Sequence, residues 1–110
     1  MINQQIAATI LQQLGDNEFR VMTGAKNFVA IESGLQFDLP KYPGLKINRV
    51  VITLNDRDTY DVQFGRISKK KDAVYGVTMP TYEALFFLND VYADSLRKTF
   101  TSMTGLDTRL

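Results

Sequence analysis

The chain has 110 residues, 45% of them apolar, with 13 basic and 12 acidic side chains and no histidine, cysteine or tryptophan. The missing residues remove the usual general acid/base, the thiol nucleophile and both soft metal ligands. The near-cancelling charge argues against a surface built mainly to coat a polyanion and leaves any electrostatic partner to a local patch. The length fits one domain spanning 1–110, large enough to bury roughly two-thirds of its unfolded surface without disulfide staples.

In chain order, Ile2, Ile6, Ile10, Leu11 and Leu14 recur at helical spacing, which predicts a helix over 3–14 closed by Gly15. Phe19 and Val21 alternate with Arg20 and Met22 and suggest a short strand ending at Thr23-Gly24. Residues 27–32 form a second candidate strand. Leu35, Phe37 and Leu39 alternate with Gln36 and Asp38 as in a half-buried strand, stopped by the Pro40–Pro43 loop. The β-branched segment 46–54 predicts a central strand, and Asn55–Asp58 a turn.

Tyr60, Val62 and Phe64 then face one way. Ile67 falls out of phase with them, and a bulge at Gly65 would restore the alternation. Ser68–Asp72 reads as a charged hairpin tip, with Tyr75, Val77 and Met79 on a return strand stopped by Pro80. Residues 81–88 fit helix, strand or loop. Tyr92, Leu96, Phe100 and Met103 predict a last helix closed by Gly105. The expected fold is α+β and two-layered: an antiparallel meander of five or six strands packed against an N-terminal and a C-terminal helix.

No constellation marks a reaction centre. Asp56, Asp58 and Asp61 resemble a hard-cation loop, but Asp61 and Ile67 stand where such a loop needs glycine and glutamate. Turn composition explains these residues, so no metal is expected. Ser68/Lys71 and Ser95/Lys98 have serine–lysine spacing, yet both lysines belong to polar surfaces where they stay charged. None of the seven glycines forms a Gly-x-Gly pair, which excludes the common phosphate cradles. No catalytic residue and no cofactor are expected.

Two surfaces suggest binding. Tyr42, in a proline-flanked loop, and Tyr82, after Pro80-Thr81, are the tyrosines placed to be exposed, and they are the candidate protein-binding residues. Arg66, Lys69, Lys70 and Lys71 form the one basic concentration. They are the alternative, nucleic-acid-binding set, or a hairpin end kept soluble by lysine. The N-terminal stretch lacks a basic region and is not expected to be a signal peptide. The longest apolar run, Ala84–Leu88, is too short to cross a bilayer. The absence of cysteine fits a cytoplasmic setting.

Three stretches carry a resemblance: Met22–Phe28, then Val51–Leu54 through Asp58–Arg66, then Val91–Leu96 through Thr104–Leu106. Together they resemble a family of small uncharacterised proteins of bacteriophages and mobile elements. The resemblance implies expression inside a bacterial host cell, and no functional residue carries over from it. The expectation is a non-enzymatic protein that binds a host or phage macromolecule, for example as an inhibitor of host defence. The alternative is a nucleic-acid binder using 66–71.

Overall fold

The fold comes from a computed structural model that describes residues 2–72 and 74–108. The order is α1 (Asn3–Leu14), α2 (Asp16–Thr23), β1 (Lys26–Ile31), β2 (Gly34–Asp38), β3 (Arg49–Leu54), β4 (Tyr60–Lys71), β5 (Thr78–Val91), a single 3-10 turn (Ala93–Ser95) and α3 (Leu96–Thr104). The strands form one antiparallel sheet in the order β1-β2-β3-β4-β5, the expected meander. The helices pack on one face of it, so the chain is a two-layer α+β domain.

α1 forms where the periodicity placed it and buries Ile6, Ala7, Ile10 and Leu14 against β1 and β2. Residues 16–23 are helical rather than extended. The relevant spacing is i, i+4: Phe19 and Thr23 are both fully buried, while Val21 is exposed. Asp16 and Glu18 favour the first turn, and Gly24, at φ 72°, supplies the left-handed stop that a β-carbon would strain.

Phe19, Phe37 and Phe100, from α2, β2 and α3, lock the two layers together. Phe19 meets Phe37 edge-to-face at 5.4 Å and Phe100 at 5.1 Å. Tyr60 on β4 donates its hydroxyl to Gln13 Oε1 on α1 at 2.6 Å. Burial pushes its phenol pKa up, and that hydrogen bond partly offsets the shift.

α3 buries Leu96, Phe100 and Thr104 and ends at Gly105, whose N–H returns to Thr101 at 2.8 Å. Tyr92 does not continue its apolar stripe. It precedes the 3-10 turn and is 66% exposed, because the chain is still leaving β5 there.

The largest departure from expectation is the β4–β5 hairpin. Ser68–Lys71 belong to β4, and β5 starts at Thr78. Asp72 makes the turn between them: its carboxylate accepts from the N–H groups of Val74 at 2.7 Å and Tyr75 at 2.9 Å. Tyr75 sits in the turn, not on a return strand. Pro80 does not stop β5, which absorbs the whole ambiguous stretch 81–88.

Nor is Gly65 the extra residue of a bulge. β4 runs through it with regular alternation, and Phe64 and Gly65 pair with Phe86 and Ala84, so Leu85 on β5 is the extra residue. β3 pairs with β4 only as far as Gly65. Beyond it β4 and β5 continue as a two-stranded arm. The radius of gyration is accordingly 14.7 Å with a long axis of 47 Å, against roughly 13 Å for a compact domain of this length.

Candidate protein-contact surface

β5 is an edge strand in which no residue is buried. Eleven large apolar side chains stand exposed among the described residues, and seven of them lie between Val74 and Phe87: Val74, Tyr75, Val77, Met79, Tyr82, Phe86 and Phe87. Tyr75 is 80% exposed and Phe87 56%. By the pairing register Tyr82 and Phe87 share the face of Gln63 and Gly65, and Met79 and Phe86 the face of Phe64, so apolar side chains flank the open edge on both sides.

The arm is held firmly where it leaves the sheet. The Asn48 side chain acts as an extra strand residue. Its Nδ2 donates to the Ile67 carbonyl at 2.8 Å, and its Oδ1 accepts from the Ile67 N–H at 2.6 Å. Arg66 donates to the Lys46 carbonyl at 2.9 Å. Tyr82 lies across Gly65 and donates to Gln63 Oε1 at 2.7 Å; a β-carbon on Gly65 would overlap its ring and hydroxyl. Burial pushes the Tyr82 phenol up, and Arg49 moderates the shift.

At the other end of β5, Asp90 accepts from Arg57 Nε at 2.7 Å, Thr59 Oγ1 at 2.9 Å and Asn55 Nδ2 at 3.1 Å. The Arg57 hydrogen bond is the main cause that holds its carboxyl below the usual range.

The sequence-derived candidates separate in space. Tyr82 stands on the arm, 42% exposed. Tyr42 is half-buried and donates its hydroxyl to the Thr23 carbonyl at 2.8 Å, just ahead of β1 and at the opposite edge of the sheet. The two tyrosines do not share a surface, and Tyr42 braces the α2–β1 corner.

Lys69, Lys70 and Lys71 are exposed, but strand alternation sends Lys70 to one face and Lys69 and Lys71 to the other. Arg66 is tied down at the arm's root. The basic run is therefore not one patch.

Asp61 accepts from Asn55 Nδ2 at 3.1 Å and from the Asp90 N–H at 3.3 Å, so this carboxylate serves the β3–β4 turn. Among the described residues, no group of three acidic side chains converges as a metal site would require.

Sequence reasoning missed Val74, Met79, Phe86 and Phe87 as surface residues. Residues 78–87 show no clean period of two in the sequence. Nothing local tells an exposed edge from a buried strand.

An open groove of about 810 Å³ lies on α3, between Asp94, Arg97, Lys98, Thr101, Ser102 and Thr108. Arg97 is engaged there by Thr108 Oγ1 at 3.2 Å. Among the described residues, no buried side-chain nitrogen or oxygen lacks a hydrogen-bond partner, and no helix is long and apolar enough to cross a membrane.

The geometry defines a two-layer α+β domain with one projecting hairpin arm. Compared with protein-family models, curated proteins and solved structures, the chain matches none.

Proposed function

We propose that this protein acts by binding another protein through the β4–β5 arm and the β5 edge, without catalysis. The observation that carries the reading is the series of exposed apolar side chains from Val74 to Phe87, along the hairpin turn and a strand with a free edge. Keeping seven such residues in water is unfavourable, and a partner that covers them recovers that free energy. Tyrosine and phenylalanine are the residue types that dominate such contacts. The resemblance to phage and mobile-element proteins places the search inside a bacterial cell, with host-defence components among the candidates.

The nucleic-acid reading has less support. The lysines divide between two faces, and apolar side chains outnumber charges along the arm.

Capture from bacterial lysate, with and without nuclease, tests the choice. Phe87→Ser with Tyr82→Ala should abolish nuclease-resistant capture. Replacing Lys69, Lys70 and Lys71 by serine should leave it intact. Capture lost to nuclease and to the triple lysine change would overturn the proposal in favour of nucleic acid.

A further inference from the structure

Resting on that reading, we propose that the partner is a second copy of this chain, joined β5 to β5 about a two-fold axis at Thr81.

The direction of the backbone groups decides which residues of β5 face the open edge. Ile67 spends its N–H and C=O on Asn48, and the Gly65 carbonyl accepts from the Asn48 N–H, so odd residues of β4 point toward β3. Even residues of β4 therefore bond to β5. The Asp72 N–H donating to the Val77 carbonyl at 2.8 Å continues that set.

Through the one-to-one pairing of Gly65–Lys71 with Ala84–Thr78, Met79, Thr81 and Glu83 turn their amides inward. Thr78, Pro80, Tyr82 and Ala84 turn theirs to the open edge. Pro80, which has no N–H, thus sits where the β4–β5 ladder does not need one.

An antiparallel copy must pair these outward residues with one another. With the axis at Thr81, Tyr82 lies opposite the partner's Pro80 and Thr78 opposite the partner's Ala84, and six backbone hydrogen bonds result. With the axis at Pro80 or at Tyr82 only four form, because Pro80 lacks a donor and Phe86 points inward beyond the Leu85 bulge.

The register that satisfies the backbone also matches the side chains. Tyr82 packs on proline, Val77 on the partner's Leu85, and the turn residues Val74 and Tyr75 reach the partner's Phe86 and Phe87. Glu83 faces the partner's Met79, so no like charges are directly opposed, and Lys69–Lys71 remain one strand away in water.

The other sheet edge is a poorer template. β1 is interrupted by a bulge between Lys26 and Val29, and the Arg20 guanidinium sits over Phe28 at 4.9 Å. The seven exposed side chains, at about 150–250 Å² for a whole aromatic, offer on the order of 700 Å² per chain, near the roughly 800 Å² of a standard interface.

The chain has no cysteine, so a single introduced thiol reads the register. Thr81 of the two copies would form a non-hydrogen-bonded pair with Cα atoms about 4.5 Å apart, within disulfide reach. Sedimentation equilibrium should show a concentration-dependent dimer. Thr81→Cys should cross-link under mild oxidation. Thr78→Cys, about 20 Å from its copy in this register, should not. Thr78→Pro should weaken the dimer about tenfold or more.

If Thr81→Cys fails to fold, the double change Thr78→Cys and Ala84→Cys should cross-link instead. A monomer at every concentration, cross-linking of Thr78→Cys as fast as Thr81→Cys, or an unaffected Thr78→Pro dimer would overturn the proposal. A monomer that still captures a protein sensitive to Phe87→Ser would defeat the dimer and leave the protein-binding reading standing. A monomer without such a partner would defeat both.

Discussion

The two halves of β4 have similar length and opposite fates. From Tyr60 to Gly65 the strand lies between β3 and β5 under the helices, and Tyr60, Val62 and Phe64 are buried. From Arg66 to Lys71 it keeps only β5 as a neighbour and no helix above it, and no residue is buried. β4–β5 pairing resumes past the Leu85 bulge and runs one-to-one along the arm, while the burial of apolar surface stops. A β-ladder therefore sets shape here, and the helical layer decides where stability resides.

This contrast predicts the largest difference at its two aromatic poles. Phe100→Ala removes a side chain 2% exposed that touches Phe19 and Phe37, and should cost roughly 3–5 kcal/mol in urea unfolding. Tyr75→Ala at the tip of the arm, where the side chain is 80% exposed, should cost less than about 1 kcal/mol. Equal losses at both positions would break the comparison.

The junction between the halves comes next. Gly65→Val drives a side chain into the Tyr82 ring and should cost about 1–3 kcal/mol. The cause is space, not backbone angle, so Tyr82→Ala in the same chain should recover much of the loss. Failure of that rescue would place the strain in the ladder itself.

A smaller effect is expected at the root of β2. Asp38 accepts from Arg49 Nε at 2.7 Å and from Asn27 Nδ2 at 3.2 Å. Burial alone would raise its pKa, but the Arg49 and Asn27 hydrogen bonds outweigh burial and hold the carboxyl below its usual range. A carboxyl lowered on folding contributes stability above its unfolded pKa and loses that contribution as pH falls through the folded value. Asp38→Asn should therefore cost about 1 kcal/mol at neutral pH, discounted for partial exposure, and the difference from the parent should close in acid.

The smallest change is expected where only solvated side chains are altered. Replacing Lys69, Lys70 and Lys71 by serine should shift stability by no more than about 0.5 kcal/mol. A larger loss would mean that the arm's end is packed after all.

Much of the fold was legible in the residues. The period of Ile6, Ile10 and Leu14 and the Gly15 stop gave α1 to its limits. Strands were legible wherever one face is buried, as for Leu35 and Phe37 or Tyr60 to Phe64, because burial imposes the period of two.

Reading failed in two kinds of place. Phe19 and Val21 alternate over too few residues to separate strand from helix, and α2 is settled by Phe19 and Thr23 meeting the core at i, i+4. Residues 78–91 lack a clean pattern because β5 has no fully buried residue, only Leu85, Leu88 and Val91 lean on the core, and bulges shift the phase between them. The site suffered for the same reason. Tyr82 could be chosen as a surface tyrosine, but Tyr42 could not be told from it, since the carbonyl that holds it belongs to Thr23, nineteen residues away in sequence.

Composition and patterning were enough for a cysteine- and histidine-free α+β domain, an antiparallel meander, its terminal helices and most of its core. Those properties follow from local periodicity and from composition, which act within a few residues. Long-range packing was needed to show that the helices stop short of the last hairpin, that Tyr82 rests on Gly65 while Tyr42 is tied to Thr23, and that β5 is left as an open apolar edge. Each of these depends on which distant segment lies opposite, and a strand's own residues carry no record of whether a neighbour will be there to cover them.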